Sequence, residues 1–241
     1  MEKVIIIPAR MQSKRFPGKV FHPIAGIPMI IRTWQQAMKV PDCAVYIASD
    51  DFDLLASCQE YGCRVIKTGD HKNGTERCAE AESILKLEDG DYVLNLQADL
   101  PCINPKLLES VMLGCSEQII TAAVIVQGKP SADQNLVKIT CDKYGVAIYF
   151  SRSPIPINAD VWYNHIGIYR FQNKFLQEFA AQGISPLEDQ EDLEQLRIIW
   201  NNKRRIDVIL TQEDCISINV PSDLEKLNIQ WPEGPVLGHV I

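Results

Sequence analysis

Apolar runs rich in β-branched residues alternate with amphipathic segments along the first part of the chain, and this alternation limits the possible fold more than any other feature. The first run, KVIIIP at residues 3–8, is continuously apolar, which is typical of a strand buried on both faces. Regular alternation of this kind predicts an α/β fold with a mostly parallel central sheet and helices on both faces. Further strand patterns cover residues 43–50, 63–69 and 91–99, and helix patterns cover 28–40, 51–62 and 75–87, the last with Thr75 as its predicted N-cap.

The alternation breaks down in the middle of the chain, where strand patterns follow one another without helices between them. The sequence DKYG at residues 142–145 predicts a hairpin turn between two of these strands. We interpret residues 1–241 as a single domain that contains a β-rich subregion at residues 118–171. The predicted strands here are 118–127, 136–142, 145–152 and 165–171, followed by helices at 172–182 and 188–203, a strand at 205–212, and a helix at 221–230 with Pro221 in its first turn.

The chain is acidic overall, with 24 Lys and Arg against 31 Asp and Glu, and a formal net charge of −7. This balance argues against a broad surface for nucleic acid or for an anionic membrane, so any anion-binding site should be local. The sequence has no apolar run of about 18 residues and no signal-peptide pattern, which predicts a cytoplasmic protein without a membrane span. The eight cysteines include no C-x-x-C pair and are expected to be free thiols in a reducing compartment.

The segment PARMQSKRFPGK at residues 8–19 carries four cations and no acid. It directly follows the first predicted strand, and ligands of open parallel sheets bind at the carboxyl ends of the strands. The segment contains neither the Walker pattern nor the glycine pattern of dinucleotide-binding folds. Arg10, Lys14, Arg15 and Lys19 are suited to hold a triphosphate through charge-assisted side-chain contacts. The alternative, from composition alone, is a solvated basic loop.

A carboxylate lies just past the end of another predicted strand, in NLQADLP at residues 95–101. Asp99 is expected to point into the same crevice as the basic loop, because the carboxyl ends of parallel strands share one edge of the sheet. Carboxylate oxygens bind Mg²⁺ well beside phosphate oxygens. Together, the basic loop and Asp99 predict a site for a nucleotide and Mg²⁺.

These stretches and several later ones occur together in one family. The chain resembles the 3-deoxy-manno-octulosonate (Kdo) cytidylyltransferases, which are sugar nucleotidyltransferases with a glycosyltransferase-A-like fold. The resemblance covers nearly the whole chain, and its motifs run in the family's order. The matching stretches are IIIPARMQSKRFPGK (5–19), GIPMI (26–30), ASDD (48–51), NGTERCAE (73–80), NLQADLP (95–101), YFSRSPIP (149–156), HIGIY (165–169) and SPLEDQEDLEQLRIIW (185–200).

The resemblance implies transfer of CMP from CTP to the anomeric hydroxyl of an acidic sugar, with release of pyrophosphate, Mg²⁺ as cofactor and a homodimeric enzyme. Such a reaction depends mainly on positioning and electrostatics. The implied nucleotide-binding residues are Pro8, Ala9, Arg10, Arg15, Lys19, Arg77 and Gln97. The implied catalytic residues are Arg10, Arg15, Lys19 and Asp99, with Asp99 and Asn219 at the metal positions. The implied acceptor-binding residues are Arg152, His165, Tyr169, Glu194 and Gln195.

Some acceptor-side residues also have structural interpretations. Tyr169 fits the core position of a strand equally well, and a lone strand histidine such as His165 is often structural. Glu194 and Gln195 fall in the middle of the predicted helix 188–203, where they would not both face one pocket squarely.

Three features depart from the family pattern. The family's Q-G-D-E/Q-P is QADLP here, the aspartate expected as a second metal ligand is Asn219, and the segment 157–164 is short. These departures leave open other acidic acceptors, such as an amino-substituted or nine-carbon ulosonic acid, and a nucleotide-binding relative with little catalysis. Asn219 also has an alternative role as the N-cap of the helix predicted at 221–230.

Overall fold

A parallel core of four strands lies at the centre of the structure, as the alternating pattern predicts. The computed structural model describes residues 1–13, 15–115, 119–201 and 204–228, so the predicted loop cation Lys14, the start of the strand predicted at 118 and the predicted tail lie outside the described residues. The strands are β1 Lys3–Pro8, β2 Pro23–Ile24, β3 Ile27–Pro28, β4 Ala44–Ser49, β5 Arg64–Lys67, β6 Tyr92–Leu96, β7 Ile119–Gln127, β8 Lys138–Cys141, β9 Ala147–Ser151, β10 Val161–Gln172 and β11 Ile206–Thr211. The helices are α1 Met29–Ala37, α2 Phe52–Glu60, α3 Gly74–Leu85, α4 Pro105–Leu113, α5 Asn173–Ala180, α6 Pro186–Glu191, α7 Leu196–Asn201 and α8 Asp223–Asn228.

The main path of the sheet has the order β11-β7-β10-β6-β1-β4-β5, with β8 and β9 added at β10. Strands β5, β4, β1 and β6 are parallel to one another, and β10 runs antiparallel to both β6 and β7. The mostly parallel sheet is therefore confirmed, with one long antiparallel strand inserted into it. No helix in the described part of the chain is long and apolar enough to cross a membrane.

Both faces of the sheet are buried, which explains why β1 is continuously apolar. Ile5 and Ile7 belong to a core with side chains of α1, α2 and α4, whereas Val4 and Ile6 belong to a second core with α3, α5 and α7. Neighbouring side chains of a strand point to opposite faces, so a strand covered on both sides needs apolar residues at every position. The prediction of helices on both faces is confirmed.

Several predicted boundaries are corrected. Helix α3 begins at Gly74 with Asn73 as its N-cap, whose side chain accepts from the backbone N–H of Glu76, so Thr75 is not the cap. The helix predicted at 188–203 is two short helices, because Asp192 adopts a left-handed conformation with φ of 54° and ends α6. Helix α4 was missed, although Asn104 as its N-cap and Pro105 at its first position are typical start signals.

The β-rich part of the chain is built as predicted but extends further. The turn at 142–145 joins β8 to β9, and the Asp142 carboxylate accepts from the backbone N–H groups of Tyr144 and Val146. Strand β10 starts at Val161 instead of residue 165, so the segment before HIGIY is already part of the sheet. Helix α8 starts at Asp223, which places Pro221 before the helix instead of in its first turn.

Candidate active site

A crevice of about 530 Å³ lies at the carboxyl edge of the parallel strands, where the sequence predicts the ligand. Residues from the end of β1, the start of α3, the end of β6, the middle of β10 and the segment between α6 and α7 form its walls. Eleven of the predicted site residues line it together: Pro8, Ala9, Arg10, Arg15, Arg77, Gln97, Arg152, His165, Tyr169, Glu194 and Gln195.

Strand β10 forms one wall because it is longer than its neighbour β6. Ile168 of β10 pairs with Leu96, the last residue of β6, so the first half of β10 extends beyond the carboxyl end of that strand. Along this half β8 takes the place of β6, whereas β7 pairs with both halves of β10 through a register shift between Ile166 and Tyr169. The overhang places residues 165–167 beside the segment that follows β6, and Tyr169 pairs with Asn95 within β6.

Gln97 lies between two glycines, and their lack of side chains allows its position. A Cβ atom on Gly74 would approach the Gln97 side-chain nitrogen to 2.8 Å and Pro8 to 3.0 Å. A Cβ atom on Gly167 would lie 3.3 Å from Cγ of Gln97. The Gln97 amide donates to Asn95 Oδ1 at 3.1 Å, which orients its other atoms toward the crevice. The two glycines therefore keep the floor of the crevice open for this amide.

The cations of the first loop are held by polar partners from distant segments. Arg15 donates through Nη1 to Asn135 Oδ1 and through Nη2 to Asn219 Oδ1, the latter at 3.2 Å. Lys19 forms an ion pair with Asp99, with 2.5 Å between Nζ and Oδ2, and also donates to the backbone oxygen of Ile218. The loop is therefore not simply a solvated basic segment, since its side chains reach the two predicted metal positions.

The two predicted metal positions are adjacent but form a sparse donor set. The Ile218 N–H donates to the Asp99 backbone oxygen at 3.0 Å, which holds the segment of Asn219 against the end of β6. Asp99 provides one carboxylate and Asn219 one neutral amide oxygen. Among the described residues, no group of three or more His, Cys, Asp and Glu side chains is close enough to hold a metal ion.

Asn219 is not the N-cap of α8, which removes the structural alternative for this residue. Asp223, the first residue of α8, holds the segment before the helix, because its Oδ2 accepts from the backbone N–H groups of Asn219 and Val220 at 2.9 and 3.0 Å. Burial raises the pKa of Asp223, but the hydrogen bond from Lys226 and those from the two backbone N–H groups lower it overall. The Asn219 side chain instead donates to Ser217 and accepts from Arg15.

Arg77 and Arg152, two of the four predicted arginines that line the crevice, make extensive contacts with the protein itself. Arg77 is 3% exposed, pairs with Asp50 at 2.8 Å and donates to Thr68 and Gly69. Arg152 donates to the backbone oxygens of residues 134, 191 and 192 at 2.9, 3.0 and 3.0 Å. Arg152 also forms an ion pair with the Asp192 carboxylate, with 3.7 Å between Nη2 and Oδ2. Because the Asp192 side chain is 98% exposed, this pair is weak, and the Arg152 charge can still attract a nearby anion.

His165 is neutral and its tautomer follows from its neighbours. Burial lowers its pKa to about 3. Its Nε2 lies 3.0 Å from the Thr121 hydroxyl, which donates its own proton to the Ile168 oxygen at 2.7 Å. Thr121 must therefore accept from the Nε2–H group, which leaves Nδ1 of His165 as an acceptor for a ligand. The aromatic ring of Tyr169 packs against His165, with 5.3 Å between ring centroids.

Glu194 and Gln195 both line the crevice because they lie in the non-helical segment between α6 and α7. The expectation that a helix would turn one of them away is wrong for this reason. Burial raises the pKa of Glu194 to about 7, opposed by a hydrogen bond from the Thr75 hydroxyl to Oε1. Asn95 donates to that same hydroxyl at 2.9 Å, so a chain of polar groups runs from Gln97 to Glu194.

Arg197 anchors the segment that carries Glu194. It does not pair with Glu194 on a helix surface, as its spacing suggests, but is 1% exposed and binds Glu188 through two nitrogens at 2.8 and 2.6 Å. It also reaches Glu76 in the first turn of α3 at 3.1 Å. Glu188 in turn forms a capping box with Ser185 at the start of α6. This buried network fixes α6 and α7 against α3.

Sequence analysis missed several residues of the crevice. His71 and Lys72 lie at its mouth, and His71 Nε2 lies 2.5 Å from the Glu80 carboxylate. Val137, in the segment before β8, also lines the crevice, and Asn135 of the same segment binds Arg15. Asn73 could have been identified from the sequence, because Asn is a strong N-cap and this residue directly precedes the helical pattern. No local signal marks Asn135, because its partner Arg15 is distant in sequence.

A sheet of this order, with a basic loop after its first strand and a carboxylate after β6, defines a nucleotidyltransferase of the glycosyltransferase-A-like fold. The chain belongs to the cytidylyltransferase family, and within it to the 3-deoxy-manno-octulosonate cytidylyltransferases; the family model for "Cytidylyltransferase" matches residues 4–206. A 3-deoxy-manno-octulosonate cytidylyltransferase of a Nitratiruptor species is 39% identical, over 95% of this chain and 100% of the relative.

Further relatives agree with this assignment. The 3-deoxy-manno-octulosonate cytidylyltransferase of Helicobacter pylori is 38% identical over 92% of this chain and 95% of its own length. A solved structure of CMP:2-keto-3-deoxy-manno-octonic acid synthetase complexed with CTP has a TM-score of 0.85 and 32% identity, covering 95% of this chain and 98% of that one. The predicted fold class and the predicted CTP-dependent nucleotidyltransferase are confirmed.

The raised pKa of Glu194 predicts a specific pH dependence of stability. The folded pKa of about 7 lies above the unfolded value of about 4.3, so the contribution of the protonated group is present at acid pH and is lost as the pH rises toward 7. We expect the difference in melting temperature between Glu194→Gln and the wild type to increase by a few degrees in favour of the variant from about pH 5 to pH 8, measured by calorimetry.

The matched control is Glu60→Gln on the exposed side of α2, whose difference from the wild type should not change over this range. Melting curves of Glu194→Gln and wild type that shift in parallel with pH would show that Glu194 titrates as an ordinary exposed carboxylate.

Proposed function

We propose that this protein transfers CMP from CTP to the anomeric hydroxyl of Kdo and releases pyrophosphate. The observation that carries the proposal is that one crevice is lined both by Pro8, Ala9, Arg10 and Arg15 and by the predicted acceptor residues, which come from the end of β9, from β10 and from the α6–α7 segment. The CTP complex of the structurally similar synthetase and the names of the relatives support CTP as donor and Kdo as acceptor. Transfer requires both substrates side by side, and the two sets of residues are side by side.

The nucleotide side uses the first loop. We assign Arg10, Arg15 and Lys19 to the triphosphate, because guanidinium and ammonium groups stabilise the negative charge that develops on leaving pyrophosphate. Lys19 pairs with Asp99, and Arg15 bonds two neutral amides, so both cations have polar partners that phosphate oxygens can replace. Pro8 and Ala9 would lie beside the cytosine base, with Arg77 and Gln97 lining the crevice between the two substrates.

The acceptor side offers groups suited to a polyhydroxy acid. Arg152 supplies a positive charge near the sugar carboxylate, and Nδ1 of His165 supplies an acceptor for a hydroxyl group. Glu194, with a pKa of about 7, is able to donate or accept hydrogen bonds near neutral pH. The buried hydroxyl of Tyr169 and the amide of Gln195 line the same wall.

Mg²⁺ is the proposed cofactor, and Asp99 and Asn219 would hold it. Bound there, the ion would neutralise charge on the phosphates of CTP. With one carboxylate and one amide, the protein supplies few ligands, which suits an ion that keeps its waters and is held largely by substrate phosphates. In this structure the Lys19 ammonium forms an ion pair with the Asp99 carboxylate. It would have to move toward the phosphates for the ion to bind Asp99.

Other expectations from the sequence stay predictions. They are a cytoplasmic location, a homodimer, a role of residues 118–171 in acceptor binding and dimer formation, and the absence of a nucleic-acid partner. An acidic net charge of −7 supports the last of these.

The proposed reaction predicts pyrophosphate release that depends on both CTP and Kdo. We expect CTP to be preferred over ATP, GTP and UTP, and Kdo over other acidic sugars in a panel that includes an amino-substituted and a nine-carbon ulosonic acid. Release with a different ulosonic acid alone would reassign the acceptor. No release with any acceptor, despite CTP binding, would indicate a nucleotide-binding relative with little catalysis.

The loop cations are expected to matter for turnover and not for folding. Arg15→Ala and Lys19→Ala each remove a charge-assisted phosphate contact worth about 1.5–3 kcal/mol, so kcat/KM should fall roughly 10- to 150-fold. The control Lys39→Ala removes an exposed cation that lies outside the crevice. Wild-type rates in both loop variants would mean that these cations do not hold the triphosphate.

Asn219→Asp is expected to reduce the Mg²⁺ concentration required for half-maximal rate. The substitution adds an anionic oxygen at a position whose amide oxygen lies 3.2 Å from Arg15, with little change in side-chain size. A Mg²⁺ titration at fixed CTP measures the midpoint, and Asn158→Asp on an exposed loop is the matched control. An unchanged midpoint in Asn219→Asp would remove residue 219 from the metal site.

A further inference from the structure

Lys138, the first residue of β8, is a buried cation outside the predicted site. Its residue exposure is 0%, and its ammonium donates to the backbone oxygens of Asp133, Leu136 and Arg152 at 2.8, 2.7 and 2.6 Å. An ammonium group has three N–H donors, so all of them are used. Burying a charge is costly unless its hydrogen bonds are made, which indicates that the arrangement of these three carbonyls depends on Lys138.

Two of the three carbonyls belong to the loop that receives Arg15. Within this loop, Asp133 Oδ1 accepts from the backbone N–H and the side-chain Nδ2 of Asn135 at 2.8 and 3.0 Å. The Asn135 amide is thereby oriented with its Oδ1 toward Arg15, which donates to it. The loop held by Lys138 thus determines where the Arg15 guanidinium lies above the crevice.

The third carbonyl belongs to Arg152, at the end of β9. The Arg152 backbone N–H donates to the Glu191 carboxylate, and its guanidinium donates to the oxygens of Glu191 and Asp192. Glu194 follows shortly after on the same wall. Lys138 therefore also fixes the segment that leads to the acceptor residues, and Nη1 of Arg152 returns to the loop at the oxygen of Gln134.

We infer that Lys138 is a positioning residue that joins the two halves of the crevice: its ammonium holds the Asn135 loop, and through it Arg15, at a set distance from Arg152 and the Glu194 segment. The inference rests on the proposed function, in which Arg15 contacts the triphosphate of CTP and Arg152 and Glu194 contact the acceptor. Lys138 itself touches neither substrate and acts through these residues.

The test uses Lys138→Met, which keeps an unbranched apolar stem of similar length and removes the ammonium. We expect the Kd for CTP, measured by calorimetry with Mg²⁺, and the KM for the acceptor each to rise roughly tenfold, as expected for coupled neighbouring groups. Asn135→Ala should raise the Kd for CTP and leave the KM for the acceptor unchanged. The double variant should bind CTP about as weakly as Lys138→Met alone, because both changes act through the same contact.

Arg170→Met is the matched control, since Arg170 is also a buried cation (1% exposed) that donates to a backbone carbonyl, that of Gly114, away from the crevice. It should lower the melting temperature without changing either constant. Unchanged constants in Lys138→Met, or additive effects in the double variant, would overturn the inference. If Lys138→Met does not fold, Lys138→Gln is measured instead. Its side chain is shorter and has two N–H donors for the three carbonyls, so both constants should still rise, and wild-type constants would overturn the inference.

The two proposals fail in different ways. Absence of Kdo-dependent pyrophosphate release by the wild type overturns the proposed acceptor, whereas the Kd for CTP in Lys138→Met and Asn135→Ala is measured without any acceptor. The Kd for CTP in these two variants therefore tests the role of Lys138 whichever sugar the enzyme uses.

Discussion

The site depends on the length and direction of β10. Residues 168–172 of this strand pair antiparallel with β6. Its earlier residues extend beyond the carboxyl end of β6, where β7 and β8 pair with them. A strand that ended with its neighbour would leave the carboxyl edge of the sheet open on that side. Because β10 overhangs, the groups that follow β1 and β6 face a wall that carries His165 and Tyr169, and an edge becomes a crevice.

The cations of this crevice have partners that differ in how strongly they hold them. Arg15 and Arg152 donate to amide and carbonyl oxygens, which do not neutralise their charge, and the carboxylate near Arg152, that of Asp192, is exposed and 3.7 Å away. Lys19, in contrast, pairs closely with a carboxylate, that of Asp99. An incoming polyphosphate therefore meets guanidinium groups that are already oriented and still charged, and orientation before binding reduces the entropy lost on association.

The opposite wall is stabilised by buried charges rather than by regular secondary structure. Arg197 binds Glu188 and Glu76 in the interior, and Lys138 binds three carbonyls at the base of the Asn135 loop. Removing one partner of a buried ionic network typically costs about 3–5 kcal/mol, because the other charge is left without compensation. The short helices α6 and α7 have too few residues to hold their own geometry, so these contacts define where Glu194 and Gln195 lie.

The sequence by itself determined the layered α/β architecture, because continuous apolar strands such as β1 require cover on both faces. It also identified the basic loop and Asp99, because both directly follow strand patterns. Family motifs added Arg152, His165 and Glu194, which local periodicity does not distinguish from structural residues. Only the tertiary structure decided that Asp192 breaks the predicted helix, that Asn219 faces Arg15 instead of capping α8, and that Asn135 and Lys138 support the crevice. The physical reason is that these outcomes depend on hydrogen bonds and ion pairs between segments far apart in the chain, such as Arg15 with Asn219, which leave no periodic pattern in the local sequence.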